Sequence, residues 1–319
     1  MRLLLEQYFP QAKKEIEKCL TRILDEMKES PLYPKVHHAL ASKGKRLRPI
    51  LAVLAGEAVG GSREKLLPAA LAVELIHTAS LIHDDVIDGD LERRGEPALH
   101  VQYGGEAILA GDLLFAKALQ MVSGYGFEMV RVLVESSLEL CEGEALDISL
   151  GLEASIEEVL FKIKLKSAAL FRAAAHCGGL AGGGGSREIE VLKVYGEKLG
   201  MAYQLADDLR EIERGDLGDL EKGRLTLPYL HLYRHGESEV RRLLEESFGR
   251  GSLNPSKRRK ILEALNFHGS LHYCRKILEG FLKDALESLK GLRNPAYRRL
   301  LEDFAYLCVE AESFKVGED

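Results

Sequence analysis

Apolar residues recur at spacings of three and four along almost the whole chain, as at Ile16, Leu20, Ile23 and Met27. This spacing places side chains on one face of an α-helix, because a helix turns once in about 3.6 residues. The alternation of apolar and polar residues that is typical of β-strands is nearly absent. The sequence therefore predicts an all-α chain, and we interpret residues 1–319 as one helical domain.

The predicted helices are separated by short turns and cover residues 3–29, 33–42, 48–60, 64–88, 98–101, 105–123, 127–149, 156–180, 187–213, 225–235, 237–247, 255–267, 270–290 and 296–314. Three stretches, 64–83, 156–180 and 190–206, are apolar on more than one face, so we expect them in the middle of a bundle. The glycine-rich stretch 178–185 follows no strand, which argues against a nucleotide-binding loop, and we interpret it as a flexible turn.

The helix predicted over 64–88 ends in the first acidic cluster, Asp84, Asp85 and Asp88. Asp84 and Asp88 are four residues apart and so lie on one face, one turn from each other. Carboxylates at this spacing repel each other and oppose the helix dipole, which indicates that a cation compensates them. Oxygen ligands with no nearby cysteine favour Mg²⁺. A solvated acidic helix end is the simpler alternative.

A second apolar helix ends in the second acidic cluster, Asp207, Asp208 and Glu211, and Gln204 precedes Asp207 by about one turn. Two such clusters are much less expected by chance than one. If they face each other, they could hold several Mg²⁺ with a diphosphate bridging the metals.

Cations accompany these features. The basic turn, residues 42–49 (SKGKRLRP), carries four cations around Gly44 just before a helix, which is a suitable anion site, although a solvated turn is the alternative. Arg93 and Arg94 follow the first acidic cluster and could bind phosphate or pair with nearby acids. His77 lies two turns before Asp84 on the same face, where we favour a functional role over a core role. Later helices and loops add Lys162, Lys164, Lys166, Arg214 and Arg224.

The totals exclude several classes of protein. The net charge of −6 gives no support to nucleic-acid binding, and the five cysteines form no CxxC pair, which argues against a zinc site or a disulfide framework. The N-terminus meets a charge too early for a signal peptide, and no uncharged apolar run approaches the length of a membrane span. We expect a cytoplasmic protein.

Taken together, these motifs resemble those of the trans-prenyl diphosphate synthases, the polyprenyl synthetase family. The resemblance covers about residues 40–230 and implies the all-α isoprenoid-synthase fold and a homodimer. It rests on seven motifs in consistent order: GKRLRP at 44–49, ELIHTASLIHDDVID at 74–88, RRG at 93–95, EAILAGDLL at 106–114, KS at 166–167, YQLADD at 203–208 and GRLTLP at 223–228.

The resemblance also implies roles for individual residues. The ligands of about three Mg²⁺ on the allylic diphosphate would be Asp84, Asp85, Asp88 and Asp207, with Asp208 and Glu211 in support. The same diphosphate would be bound by Arg93, Lys166 and Gln204, and that of isopentenyl diphosphate by Lys45, Arg48, His77 and Arg94. Further substrate-binding positions are Gly44, Ser167, Arg214 and Arg224.

The chemistry that the resemblance implies is a condensation. Metal ions and cations stabilise the charge that develops on the leaving pyrophosphate, and the double bond of isopentenyl diphosphate attacks the allylic carbocation. The departing pyrophosphate can take the final proton, so no side-chain base is required. The chain departs from the family at Glu211, where Asp is usual, at Ser167, where Thr is usual, and at two arginines that replace lysines. The short linker over 211–224 and a C-terminus (314–319) without a basic pair leave the closure of the site open.

Small residues stand below the first acidic cluster, where family members set product length. Ser80 is one turn below Asp84 and Ala79 lies beside it, whereas short-chain members usually carry an aromatic residue at the place of Ala79. We therefore expect the growing chain to pass this level and to reach about six or more isoprene units, with Ile76 and the helix over 127–149 as candidate floors.

Other functions remain as alternatives. The nearest is a farnesyl or geranylgeranyl diphosphate synthase with a floor elsewhere. A metal phosphohydrolase, suggested by His83 and Asp84, would need several histidine ligands in one site. A terpene cyclase would not need cations for a second diphosphate. A regulatory subunit of a heteromeric synthase would typically lose acidic motifs. Peripheral membrane contact for release of an apolar product is a further expectation.

Overall fold

The computed structural model describes residues 3–42 and 44–310, and of Leu3 its backbone only. Lys43 of the basic turn and the C-terminal residues 314–319 lie outside the described residues.

Sixteen α-helices are present in the described ranges: α1 Leu3–Glu26, α2 Tyr33–Ala41, α3 Leu47–Ala58, α4 Arg63–Asp88, α5 Leu99–Tyr103, α6 Glu106–Val122, α7 Phe127–Ser149, α8 Ile156–Ile163, α9 Ala169–Ala181, α10 Ser186–Glu213, α11 Gly218–Lys222, α12 Leu227–His235, α13 Ser238–Glu245, α14 Pro255–Phe267, α15 Ser270–Ser288 and α16 Pro295–Val309. The π-helical turn Lys164–Ala168 joins α8 to α9, and 3₁₀ turns cover Ser123–Tyr125 and Leu289–Gly291. The strands β1, Glu92–Arg93, and β2, Glu96–Pro97, form an antiparallel hairpin.

The all-α prediction is confirmed, and most predicted helices are found within a few residues of their expected ends. The helix predicted over 156–180 is interrupted by the π-helical turn. The hairpin and α11 escaped prediction because both are short and polar, so that they carry no apolar periodicity. The predicted helix over 296–314 ends at Val309, and its last residues lie beyond the described chain.

The central helix of the bundle is α4, which packs against α3, α6, α7 and α9. Its buried residues occur on every face, as its apolar composition predicts. Ile76 and Ala79 are both fully buried, and burial of a side chain the size of Ile contributes about 1.5–3 kcal/mol. This packing fixes the position of the carboxylates at the C-terminal end of the helix.

A second long helix, α10, joins the two parts of the core. Its residues belong to both parts of the core, and it packs mainly against α9 and α15. Leu199 belongs to the first part and Leu205 to the second, and both are fully buried. The second acidic cluster therefore lies at the end of a helix that packs against neighbouring helices on two sides.

Glycines let α9 lie close to the helices on either side of it. A Cβ atom on Gly178 would collide with the carbonyl oxygen of Ala52 on α3, and one on Gly196 would lie 2.6 Å from the carbonyl oxygen of Phe171 on α9. Gly178 and Gly179 are buried inside α9. The prediction of a flexible turn over 178–185 is therefore wrong for its first half, because there the glycines serve close helix packing.

Within residues 3–42 and 44–310, two helical segments are long and apolar enough to cross a membrane by length and composition alone. Arg63–Asp88 has 67% of its apolar window buried inside the protein, as expected for a core helix, whereas Glu106–Tyr125 has 33% of its window buried. The second segment therefore leaves an apolar face on the surface of the described chain.

His176 on α9 makes stability depend on pH. Burial, followed by the charge of Lys193, lowers the pKa of His176 to about 4. Between the ordinary value of 6.5 and about 4, the unfolded chain binds a proton that the folded chain does not, so stability is lost as the pH falls through this window. We expect His176→Gln to make this decrease in the free energy of unfolding smaller by about 1–2 kcal/mol. Urea unfolding at pH 7 and at about pH 4.5 measures it, and an unchanged pH dependence would contradict the assignment to His176.

Candidate active site

The first acidic cluster lies at the C-terminal end of α4, where Gly89 ends the helix in a left-handed conformation with φ 66°. Asp85 is 4% exposed and accepts a hydrogen bond of 2.7 Å from Arg93 Nε on β1. Asp90, an alternative partner, is 3.6 Å from Arg93 Nη2. The hairpin thus folds Arg93 back onto the first acidic cluster, a pairing that the sequence analysis did not predict.

The segment between α11 and α12 reaches the same end of α4. Arg224 forms an ion pair with Asp88, and Lys222 forms one with Asp90. The charge of Lys162 acts on Asp208 of the second cluster, and that of Lys166 acts on Asp84 of the first. Both lysines bind the same carboxylate, Asp147, so the two clusters lie at the same end of the bundle.

Asp84 lies in a crowded part of this end. Burial, and next the nearby carboxylate of Glu144 on α7, raise the pKa of Asp84 to about 7. Glu144 Oε2 is 2.6 Å from Lys166 Nζ, but the two are not aligned as a hydrogen bond. Both Glu144 oxygens are buried without a hydrogen-bond partner among the described residues.

The second acidic cluster is organised by its own hydrogen bonds. Ser167 Oγ donates to Gln204 Oε1 at 2.6 Å, and Gln204 Nε2 donates to Asp208 Oδ1 at 2.8 Å. Burial is the main reason that the pKa of Asp208 rises to about 7. Asp207 accepts from Arg210 Nη2 at 2.8 Å. The sequence prediction placed Gln204 one turn before these acids, and the structure supplies its two partners.

Glu211, the third member of the second cluster, has an acidic neighbour that the sequence analysis did not single out as a carboxylate ligand. Burial, and then the carboxylates of Asp219 on α11 and of Asp207, raise the pKa of Glu211 to about 8. The pKa of Asp219 itself rises to about 6, chiefly through burial. The crowding of carboxylates therefore extends from α10 to α11.

These acids fit a hard divalent cation, because all their donor atoms are carboxylate oxygens and a cation relieves their mutual repulsion. Within residues 3–42 and 44–310, however, no three histidine, cysteine, aspartate or glutamate side chains come close enough to hold a metal ion by themselves. Each metal would therefore need ligands from a bound oxyanion as well, which is how Mg²⁺ is usually held with phosphates.

The basic turn contacts Arg94, the residue that follows Arg93 in the hairpin. A Cβ atom on Gly44 would lie 2.6 Å from Arg94 Nη1, and Arg94 has a left-handed backbone with φ 55°. Arg48 Nη1 is 3.0 Å from His77 Nε2. Burial, and then the charges of Arg48 and Arg94, lower the pKa of His77 well below its ordinary value. His77 therefore stays neutral beside two guanidinium groups. We call Arg48, His77, Arg94 and the exposed Lys45 of the basic turn the basic face.

One cation of the basic turn has a structural role instead. Arg46 is 4% exposed and donates to Glu74 Oε1 on α4 at 2.7 Å, to Glu17 Oε1 on α1 at 2.8 Å and to the carbonyl oxygen of Leu40 at 2.9 Å. The turn is thereby fixed to three helices. A solvated basic turn, the alternative considered from the sequence, does not describe it.

The π-helical turn carries Lys166 and Ser167 against α7. A Cβ atom on Gly143 of α7 would lie 2.7 Å from Lys166 Cα, so the turn rests directly on this glycine. Such turns are frequent at functional sites. Lys164, in contrast, points away and pairs with Glu197 at 3.1 Å.

Comparison with known proteins identifies the family of this chain. A sequence model described as polyprenyl synthetase matches residues 29–265, more than half of the chain. The chain belongs to the polyprenyl synthetase family. The predictions of the family and of a prenyltransferase enzyme are thereby confirmed.

Relatives of this polyprenyl synthetase have products of different length. A short chain isoprenyl diphosphate synthase from Methanothermobacter thermautotrophicus is 35% identical over 324 aligned positions, with 97% of this chain and 98% of the relative covered. An octaprenyl diphosphate synthase from Escherichia coli is 35% identical over 291 positions, with 86% and 88% covered.

Solved structures agree in fold. A decaprenyl diphosphate synthase from Rhodobacter capsulatus matches with a TM-score of 0.89 at 29% identity, covering 96% of this chain and 99% of that one. A polyprenyl synthase from Caulobacter crescentus, complexed with calcium and isoprenyl diphosphate, matches with a TM-score of 0.87 at 30% identity, covering 95% and 97%. The predicted isoprenoid-synthase fold is confirmed.

Four further predicted positions lie on α4 and at the end of α10. Ile76 and Ala79 are fully buried in α4, and Ser80 Oγ donates to the carbonyl oxygen of His77 at 3.0 Å. Arg214 is exposed at the C-terminal end of α10.

The sequence analysis missed two carboxylates on α7, Glu144 and Asp147, which are 7% and 5% exposed. Two acids three residues apart in a helix share a face, and this spacing was the available signal. The pair does not stand out in the sequence because the predicted helix 127–149 carries several other acids, such as Glu128, Glu135 and Glu142, which are exposed in the structure.

Proposed function

We propose that this polyprenyl synthetase condenses an allylic prenyl diphosphate with isopentenyl diphosphate, head to tail, through an allylic carbocation. The observation that carries the proposal is the meeting of two carboxylate clusters with two groups of cations at one end of the bundle. Lys166 and Arg224 are already paired with acids of this end, at Glu144 and Asp88. A terpene cyclase would not require the second, separate basic face at Arg48.

The metal-binding residues proposed are Asp84, Asp85, Asp88, Asp207, Asp208 and Glu211. About three Mg²⁺ held there would neutralise the charge that develops on the leaving pyrophosphate. The chain itself would hold the allylic diphosphate with Arg93, Lys166, Gln204 and neighbouring groups.

The basic face would hold the second diphosphate. Arg48, Arg94 and Lys45 supply positive charge, and neutral His77 supplies a ring nitrogen without adding to it. The rings of Phe171 and Tyr203 lie 5.1 Å apart between centroids, and Arg48 lies over the Phe171 ring at 4.6 Å. These rings provide apolar surroundings in which a carbocation would be protected from water. The departing pyrophosphate takes the final proton.

The decisive experiment is product analysis. The purified protein is incubated with Mg²⁺, isopentenyl diphosphate and each allylic primer in turn, and the dephosphorylated alcohols are sized. We propose a product of about six or more isoprene units, because Ala79 and Ser80 are small. The similarity to a short chain isoprenyl diphosphate synthase supports a second candidate, a product of three or four units. Absence of condensation by the folded protein would contradict both.

The Ala79 position allows a direct test of product length. Ala79→Phe should place a ring below the first acidic cluster and shorten the longest product by at least one isoprene unit. The matched control is Ala296→Phe at an exposed site on α16, which should leave the products unchanged. An unaltered distribution in folded Ala79→Phe would contradict the proposed path of the growing chain.

We also propose a homodimer and a single domain in the cytoplasm, with peripheral membrane contact for product release. Exposed apolar side chains on α6 and α7 support a second copy as the partner of this face; they are Ile108, Leu109, Val134, Leu138 and Ile148. Sedimentation equilibrium tests the dimer, and a monomer at micromolar concentration would contradict it.

A further inference from the structure

Lys162 on α8 is a buried lysine that the proposed function does not use. It is 7% exposed, and its ammonium donates to Asp147 Oδ1 at 2.7 Å and to the carbonyl oxygen of Leu225 at 2.9 Å. A buried ammonium group is costly unless it is paired and hydrogen-bonded. An apolar side chain at this position would avoid that cost, so the retained charge calls for an explanation.

The partner of Lys162 is shared. Asp147 Oδ2 accepts a hydrogen bond of 2.6 Å from Lys166 Nζ, so one buried carboxylate holds two lysines. Burial alone would raise the pKa of Asp147, but the charges of Lys162 and Lys166 outweigh it and hold that pKa below its ordinary value. Asp147 is therefore an anion that two neighbouring cations compensate.

Binding of a diphosphate by Lys166 would change this balance. Lys166 would turn at least partly from Glu144 and Asp147 toward the phosphate oxygens. If Asp147 had Lys166 as its sole cation, this movement would leave a buried carboxylate unpaired, which costs several kcal/mol. Lys162 remains on Asp147 and lowers that cost.

Lys162 also links the segment that carries Arg224 to the carboxylate that holds Lys166. Its other acceptor is the carbonyl of Leu225, the residue that follows Arg224. Arg224 Nε lies 3.8 Å from Asp147 Oδ2, and its guanidinium pairs with Asp88. A single buried ammonium thus connects α7 and α8 with the segment that carries Arg224.

We propose that Lys162 is a positioning residue, which keeps Asp147 neutralised so that Lys166 is free to bind the allylic diphosphate and which holds the Arg224 segment beside it. The inference rests on the proposed function of Lys166 and goes beyond it, since Lys162 itself touches no substrate.

The test compares binding of the two substrates. In Lys162→Met, Asp147 keeps Lys166, so we expect a folded protein in which Lys166 is held more tightly by the acids. The KM for the allylic substrate, and the Kd for inorganic pyrophosphate with Mg²⁺ measured by calorimetry, should each rise about tenfold, with the KM for isopentenyl diphosphate changing less than about twofold. Lys164→Met, which removes a neighbouring, partly exposed lysine that pairs with Glu197, is the matched control and should change none of these values by more than about twofold.

A double-mutant cycle separates positioning from general support of the fold. In Lys162→Met/Asp147→Asn, the uncompensated charge at position 147 is gone and Glu144 is the remaining acidic partner of Lys166, so pyrophosphate affinity should return to within about threefold of the original. A double variant weaker than both single variants would show that Lys162 is merely structural, and an unchanged pyrophosphate Kd in Lys162→Met would also overturn the inference. Lys162→Gln, measured in parallel, serves if the methionine variant fails to fold. If the original protein does not condense its substrates, the proposed function is wrong. The pyrophosphate titration does not depend on condensation and still tests the positioning role of Lys162.

Discussion

Replacing Asp84 by Asn should lower kcat by about three orders of magnitude, because it removes the charge of a proposed metal ligand from the transition state while keeping the shape of the side chain. Such a loss corresponds to about 4 kcal/mol of the activation barrier. Steady-state kinetics at saturating Mg²⁺ measures it. The matched control is Asp284→Asn on α15, where the carboxylate is 58% exposed, and this variant should keep its activity.

In the absence of metal, Asp84→Asn should be at least as stable as the original protein. The pKa of Asp84 is raised to about 7 in the folded protein, so the folded state prefers the protonated side chain. The stability from that proton is complete below the ordinary pKa and is lost as the pH rises through about 7. Above that pH, Asp84→Asn should melt at an equal or higher temperature than the original, with a gain on the order of 2 kcal/mol. An inactive variant that melts much lower would instead indicate a damaged fold, and a fully active one would remove Asp84 from the metal site.

Gly143→Ala should weaken activity about a hundredfold, although the substitution adds one methyl group. The new Cβ would lie 2.7 Å from Lys166 Cα and closer still to the backbone nitrogen of Lys166, so the π-helical turn must move. A displacement near 1 Å in a group that positions substrate can cost about 10² in rate. We expect the effect to fall mainly on the allylic substrate, and kcat/KM for each substrate measures it.

Gly280→Ala on α15 is the control for this substitution, since its Cβ would meet nothing within 4 Å. Alanine in an exposed helix should stabilise the protein by about 1 kcal/mol relative to glycine, with no change in activity. Equal activity of Gly143→Ala and Gly280→Ala would show that the turn tolerates movement and that the placement of Lys166 is less critical than proposed.

Much of the bundle could be predicted because its helices carry strong apolar periodicity. The region of α4 and α10 that ends in carboxylates was located from residue spacing alone, and so was the basic turn. The π-helical turn could not be predicted, because its sequence KLKSA suits an ordinary helix and the turn depends on the contact with Gly143. Tertiary packing, rather than local preference, decides the conformation there.

The electrostatic partners were the least predictable part of the site. Lys162 looked like one of three similar lysines in one helix, and its burial depends on Asp147, fifteen residues away in the chain. Arg46 looked equivalent to Lys45, yet its contacts to α1 and α4 make it an anchor of the turn. Residue type and spacing locate a charged group, but which of its neighbours it meets depends on the assembled helices.

The close packing of α9 has a consequence for engineering the length of the proposed product. Gly56 on α3 meets Gly178 on α9 so closely that a Cβ atom on Gly56 would lie 2.8 Å from the Gly178 carbonyl oxygen. A Cβ atom on Gly200 of α10 would lie 2.9 Å from the Cβ atom of Ala168, in the π-helical turn that leads into α9. At these contacts the helices meet largely through main chain and small side chains, so there is little side-chain volume to remove by substitution. Variants meant to accept longer products are therefore better sought on α4, α6 and α7, where larger side chains such as Ile76, Leu114 and Leu133 can be exchanged for smaller ones.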